Sequence, residues 1–285
     1  MKWRVIGTLF RLAFAALALA VVAPAQAGTL IGLSSSDPGT LYRVDQATGA
    51  ATLLTDLSGS DFSSFVGLEV LRGTVYATDV VPAAGGNFSF GSIDLNTGAF
   101  TVINDQAGSA NWHGLAASQA DNLLYSVDLD SGNFNLLSVT PTGTVNVIGA
   151  TGLFITGMAF DDANSILYGV DGSNLYTINV GTGASTVVGA LGSFITSTRL
   201  GLAYDPVLQA LYLNAADGGS LYSVNVSTGA ATLIGSNGAT AGSGIDGLAY
   251  LPTQVQPVPE PSTVVLAGLG GLVLVAHRVR RRRVA

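Results

Sequence analysis

Between residues 29 and 252 the apolar residues fall in short runs, none long enough for an ordinary helix. In "GLAYDPVLQALYLNAADGGSLYSVNVSTGAATLIG" (201–235), the runs GLAY, ALYLN, SLYSVNV and AATLIG are separated by Asp, Asn, Gly, Pro and Ser. Runs rich in Leu, Val, Ile and Tyr between such turn-forming residues predict four strands. The opening pattern recurs at Gly67, Gly114, Gly157, Gly201 and Gly247, in steps of 47, 43, 44 and 46 residues. An apolar-Tyr pair follows it at Val75-Tyr76, Leu124-Tyr125, Leu167-Tyr168 and Leu211-Tyr212. A Thr-Gly pair recurs late in each unit, at Thr48-Gly49, Thr97-Gly98, Thr142-Gly143, Thr182-Gly183 and Thr228-Gly229.

The Thr-Gly pair predicts a hairpin between the third and fourth strands. Asp45, Asp94, Asn179 and Asn225 stand three residues before the Thr. Each can accept a backbone N–H and start the turn, and the Gly supplies the positive φ that ends it. The third copy, "SVTPTG", starts instead with Thr140.

Four strands every 40–50 residues predict an all-β fold, a β-propeller. The first unit lacks its first strand and begins "TLIGLSSSD" (29–37); the last, "GIDGLAYLP" (244–252), holds only that strand. Joined, they make one blade, so the expectation is a five-bladed propeller of four-stranded blades over 29–252. Pairing of its N- and C-terminal strands would close it and remove exposed sheet edges. The wording of the units resembles the degenerate "LYxVxxxTGAaTxIG" repeats of secreted bacterial propellers, a resemblance that implies fold and not activity.

Composition changes this picture chiefly through charge. The chain has no cysteine, so stability must come from packing without disulfides. Between Gly28 and Pro257 the only cations are Arg43, Arg72 and Arg199, against sixteen Asp and Glu69, which leaves −14. Such a body repels nucleic acid, whose phosphates need clustered Lys and Arg. It suits solubility, cations or basic partners.

The inventory for catalysis is thin. The body has no Cys or Lys and one His, His113, and no nucleophile elbow, zinc pair or phosphate loop occurs. Glu69 is the exception. It stands on the innermost strand where the other units have Ala116, Ala159, Ala203 and Ala249, and is the candidate acid for glycoside hydrolysis with a channel Asp. Just before the repeat glycines come Trp112, His113, Arg199 and Asp246, which enter the ring from one face as ligand-binding candidates. Asp37, Asp79, Asp128, Asp171 and Asp217 lie in loops on that face. Asp79, Asp128 and Asp171 are the metal candidates, oxygen ligands of the kind calcium prefers, although Asp is also a common turn residue.

The two ends read as addresses. Lys2, Arg4 and Arg11, the apolar run 12–23 and Ala25-Gln26-Ala27 form a secretory signal peptide, 1–27, with a signal-peptidase cleavage site. A linker, 253–258, precedes Pro259-Glu260-Pro261-Ser262, where proline holds the chain extended. Thr263 to Ala276 is apolar, roughly 21 Å long as a helix and short of the ~30 Å hydrocarbon core. Arg278, Arg280, Arg281, Arg282 and Arg283 would hold its end in the cytoplasm. These parts, 259–285, resemble the PEP-CTERM sorting signal. The resemblance implies an exosortase as processing partner, a transient inner-membrane anchor through the C-terminal hydrophobic helix, and release to the cell surface or extracellular matrix, often alongside exopolysaccharide. The expected role is a non-enzymatic scaffold for a glycan or protein partner, with a Glu69 hydrolase or a calcium-dependent adhesin as alternatives.

Overall fold

The computed structural model describes residues 28–34, 39–58, 65–79, 87–107, 111–129, 132, 134–193, 195, 199–238 and 244–252. The expected signal peptide, linker, sorting motif and C-terminal helix, and Asp37, lie outside the described residues.

The strands are, in order, β1 (Thr29–Ser34), β2 (Thr40–Val44), β3 (Ala51–Asp56), β4 (Phe65–Leu71), β5 (Thr74–Asp79), β6 (Asn87–Ile93) and β7 (Phe100–Ala107). There follow β8 (Trp112–Ser118), β9 (Leu123–Asp128), β10 (Asn135–Val139), β11 (Val145–Ala150), β12 (Gly157–Asp161), β13 (Ile166–Val170), β14 (Asn174–Ile178) and β15 (Ser185–Ala190). The last five are β16 (Leu200–Asp205), β17 (Ala210–Ala215), β18 (Ser220–Val224), β19 (Ala231–Ser236) and β20 (Ile245–Leu251). They form five four-stranded antiparallel sheets: β4–β7 (blade 1), β8–β11 (blade 2), β12–β15 (blade 3), β16–β19 (blade 4) and β20-β1-β2-β3 (blade 5). The protein is thus an all-β, five-bladed propeller. In blade 5, β20 pairs with β1 from Thr29↔Leu251 to Ser34↔Ile245.

The apolar core is divided among the blade interfaces. One cluster joins blades 1 and 2 through Phe90 and Trp112, and another joins 2 and 3 through Val127 and Met158. Three more join blades 3 and 4, 4 and 5, and 5 and 1. The innermost strands also touch in sequence: β4 on β8, β8 on β12, β12 on β16, β16 on β20 and β20 on β4.

The hairpin chemistry expected from the repeats is present. Asp45 Oδ1 accepts the N–H of Ala47 at 2.9 Å and of Thr48 at 2.8 Å, and Asn225 Oδ1 those of Ser227 and Thr228 at 2.9 and 3.1 Å. In the variant copy Thr140 Oγ1 accepts the Thr144 N–H at 3.0 Å. A feature invisible in the repeat pattern is a register shift between the third and fourth strands of every blade, as between Leu221 and Tyr222. Such bulges twist an outer strand away from flat edge pairing.

The turn glycine has a second task. Gly229 has φ 77°, and a Cβ on it would meet Gly189 O at 2.3 Å. A Cβ on Gly189, on the neighbouring blade's outer strand, would meet Thr228 O at 2.1 Å. Two backbones therefore touch where both lack side chains, which accounts for the glycine after Ile148, Val188 and Ile234 in three of the repeats. Gly189→Ala should cost about 1–3 kcal/mol by overpacking. Gly218→Ala, whose Cβ would meet nothing within 4 Å, should stay within about 0.5 kcal/mol of wild type. Denaturant unfolding of both variants checks the difference.

Candidate functional site

The five innermost strands run the same way round the axis, so the ring has an N-face, where they begin, and a C-face, where they end. The sequence offers Glu69 on an innermost strand and Trp112, His113, Arg199 and Asp246 just before the repeat glycines, all as ligand-binding candidates. The structure separates them to opposite ends of these strands.

Among the described residues the axis is filled at the N-face. A Cβ on Gly201 would meet Leu248 N at 2.8 Å and Asp246 O at 2.9 Å, and one on Gly247 would meet Leu68 Cβ at 2.8 Å. With Leu68, Leu115, Met158, Leu202 and Leu248 packed there, a void of only about 10 Å³ remains. Among the candidates of this face, Arg199 and Asp246 meet: the guanidinium donates to Asp246 Oδ2, and Asp217 lies 3.9 Å from it. His113 lies beside Phe154, ring centroids 6.0 Å apart. Trp112 is 3% exposed, in the cluster shared by blades 1 and 2, with Phe90 at 6.4 Å; its indole is core.

Of the acids of this face, Asp171 organises a turn, while Asp79 and Asp128 end strands β5 and β9. Asp171 accepts Ser173 N–H, Asn174 N–H and Tyr176 O–H at 2.8–2.9 Å. Asp79 is buried at the end of β5, and Asp128 accepts the Asn111 N–H at 3.4 Å. Among the described residues no three His, Asp or Glu lie close enough together to hold a metal ion.

At the C-face the axis opens into a cavity of about 270 Å³. Each innermost strand contributes to it: Glu69 and Val70 from β4, Ala117 from β8, Phe160 from β12, Tyr204 from β16 and Tyr250 from β20. Leaving the strands, Arg72, Asp162 and Val207 form its mouth. A larger groove of about 520 Å³ runs between blades 5 and 1, along Arg43, Val75 and Asp94, and holds no buried ionisable side chain.

Blade 1 departs from the repeat beside the cavity. From the repeat glycine to the second-strand tyrosine is nine residues there, Gly67 to Tyr76, against eleven in blades 2, 3 and 4. The β4–β5 connection is a two-residue turn with Arg72 at φ 49° and Gly73 at φ 81°, the type I′ geometry. An arginine at left-handed φ costs about 1–2 kcal/mol. Gln119 of blade 2 holds the turn, its Oε1 accepting the Arg72 N–H at 2.8 Å and its Nε2 donating to Val70 O at 2.7 Å. The shorter turn and Glu69 both line the cavity.

Glu69 is 9% exposed. Its Oε1 accepts the Val70 N–H at 2.8 Å, and the Ala117 N–H also bonds to the carboxylate. Burial overrides both and pushes its pKa up to about 8, with a smaller push from the Asp162 charge. The carboxyl is therefore neutral at ordinary pH and able to donate a hydrogen bond. Asp162 is bound from outside: Oδ1 accepts from Ser118 Oγ and Ala120 N, both at 3.2 Å, and Oδ2 from Gln119 N at 3.0 Å. The Tyr204 hydroxyl is bonded to Asp161, and burial with that acid pushes its pKa up to about 12. The Tyr250 hydroxyl accepts the Gly28 N–H at 3.0 Å.

Residues 257–283 match the PEP-CTERM protein-sorting motif. The chain thus carries a PEP-CTERM sorting motif, which implies export and processing by an exosortase, on a propeller body. No curated protein matches it. Among solved structures, a chain of a nidogen/laminin complex aligns with TM-score 0.54 and 14% identity, over 79% of this chain and 98% of its own. A gluconolactonase from Xanthomonas campestris aligns at 0.48 and 15% identity, over 66% of this chain and 65% of its own. TolB from Acinetobacter baumannii aligns at 0.49 and 14% identity, over 79% and 55%. The likeness to the first is one of fold alone. Among the described residues no helix is long and apolar enough to cross a membrane.

The raised Glu69 pKa has a consequence for stability. Below about pH 4.5, its ordinary value, the carboxyl is protonated in folded and unfolded chains alike. Between there and about 8 only the unfolded chain loses the proton, so its contribution to stability falls as pH rises and is fully lost above 8. Glu69→Gln should exceed wild type in stability at pH 8 by a few kcal/mol, of the order ~2–5, with the gap vanishing by pH 4.5. Melting curves across that range check it; a pH-independent gap contradicts it.

Proposed function

We propose that the protein is a non-enzymatic binding scaffold of the cell envelope or extracellular matrix, and that its C-face cavity receives a glycan or protein partner. In this reading signal peptidase removes 1–27 and the β20–β1 pairing closes the ring. The run 263–276, with Arg280 to Arg283 behind it, holds the chain briefly in the inner membrane. An exosortase recognising Pro259-Glu260-Pro261-Ser262 then frees it to the surface, where exopolysaccharide or a surface protein is the partner.

The observation that carries the reading is the cavity to which all five blades contribute, beside an axis filled at the other end. Such a concave site with a few convergent polar groups is the usual form of a ligand site. A second reading, a glycan hydrolase, draws on a neutral Glu69 and Asp162 at the same cavity. Against it, Asp162 is bound by three groups of blade 2, as befits a clamp between blades.

Fractionation and chromogenic glycosides test the two together. The exported protein should sediment with envelope or matrix material after losing its tail, and should release no chromophore. Turnover abolished by Glu69→Gln would establish the hydrolase; tail-less protein found only free in the medium would remove the scaffold role.

A further inference from the structure

We propose that the C-face cavity takes a single neutral pyranose ring, its apolar face against the aromatic wall and its hydroxyls between Glu69, Asp162 and Arg72. This rests on the scaffold reading and names the ligand class of its site.

Size comes first. A cavity of about 270 Å³ falls below the ~300–1,000 Å³ of sites for drug-sized ligands. It has room for one small ring. A polymer would enter by a terminal residue.

The wall comes next. Phe160 and Tyr250, each 8% exposed, and the half-buried Tyr204 line the cavity from three successive innermost strands. Tyr125 stacks behind Phe160 with centroids 5.7 Å apart, and Tyr168 behind Tyr204 at 6.4 Å. Each of these two rings is held by a neighbour on one side, so little ordering is left to occur on binding. The electron-rich face of an aromatic ring attracts the slightly positive C–H bonds of one pyranose face. The Tyr204 hydroxyl is bonded to Asp161 and the Tyr250 hydroxyl accepts the Gly28 N–H, so these residues offer chiefly their rings. Val207, 45% exposed, extends the apolar surface at the mouth.

The polar groups match hydroxyls rather than an ion. Arg72 and Asp162 are opposite charges at one mouth, and a neutral Glu69 adds none, so no net charge calls for an ionic ligand. Asp162 uses three of about four acceptor positions; Oδ2 accepts only from Gln119 and keeps room for a hydroxyl proton. Arg72 donates from Nη2 to Gln119 O at 3.2 Å and has further N–H groups to give. Donors and an acceptor around one ring fit vicinal hydroxyls, each of which donates and accepts.

Saturation-transfer NMR with methyl pyranosides and the exported protein tests this. Transfer should be seen from aromatic protons to the C–H bonds of at least one neutral pyranoside. Tyr204→Ala and Arg72→Gln should each weaken binding at least tenfold, while Arg199→Gln on the N-face should leave it unchanged. Arg72 is exposed and outside the core, so its substitution reads binding even where truncation of Tyr204 disturbs packing. Transfer from no pyranoside, or binding lost with Arg199 and kept with Arg72 and Tyr204 changed, overturns the proposal. Protein that still sediments with the envelope but binds no pyranoside overturns this ligand and leaves the scaffold; protein that fails to sediment overturns the scaffold itself.

Discussion

The constraint on which the structure depends is the close approach of five backbones around one axis. Each innermost strand carries a glycine among its first three residues, and at Gly201 and Gly247 an added Cβ would lie within 3 Å of the next strand. Side-chain-free contact brings the strands together at the N-face, and among the described residues it leaves a void of only about 10 Å³ on the axis there. The strands diverge toward the C-face, where residues three positions past each glycine range from Ala117 to Tyr250. An axis filled at one end and concave at the other follows from where the small residues stand.

The same economy operates at the rim. The Thr-Gly turn of one blade rests on a glycine of the neighbour's outer strand, as Gly229 does on Gly189. Between rim and axis, aliphatic and aromatic side chains fill the interfaces. Polar latches add to them near the C-face: Gln119 to blade 1, Asp162 to blade 2, and Gln46 Nε2 to Asp205 across blades 5 and 4 at 2.9 Å. With no disulfide to help, cohesion rests on these interfaces repeating. Blade 1 departs from the repeat with a short turn and Glu69, and the cavity lies at that departure.

Local chemistry was the legible part. The Asx-to-N–H turns, the Thr-Gly hairpins and the four strands per unit are each written within a few residues, and five copies make the pattern plain. Glu69 was visible because four alanines stand at its equivalents. Its surroundings were not, since they join residues from five strands that no single repeat contains. The signal was present in the two-residue shortening before Tyr76 and in the aromatic residues at 160, 204 and 250. Trp112 and Asp246 occupy the slots expected of them. That one is core and the other an ion-pair partner of Arg199 depends on packing across blades. The bulges in the outer strand pairs leave no mark in composition at all.

The two faces make opposite claims on function, one filled and one concave, and a measurement blind to ligand chemistry separates them. Hydrogen exchange of the exported protein, with and without polysaccharide extracted from the producing cells, reports which backbone becomes protected. Protection at 69–73, 117–120, 160–163 and 204–208, with 112–114, 199–201 and 245–247 unchanged, is the outcome expected of a C-face site. Protection confined to the second group contradicts it.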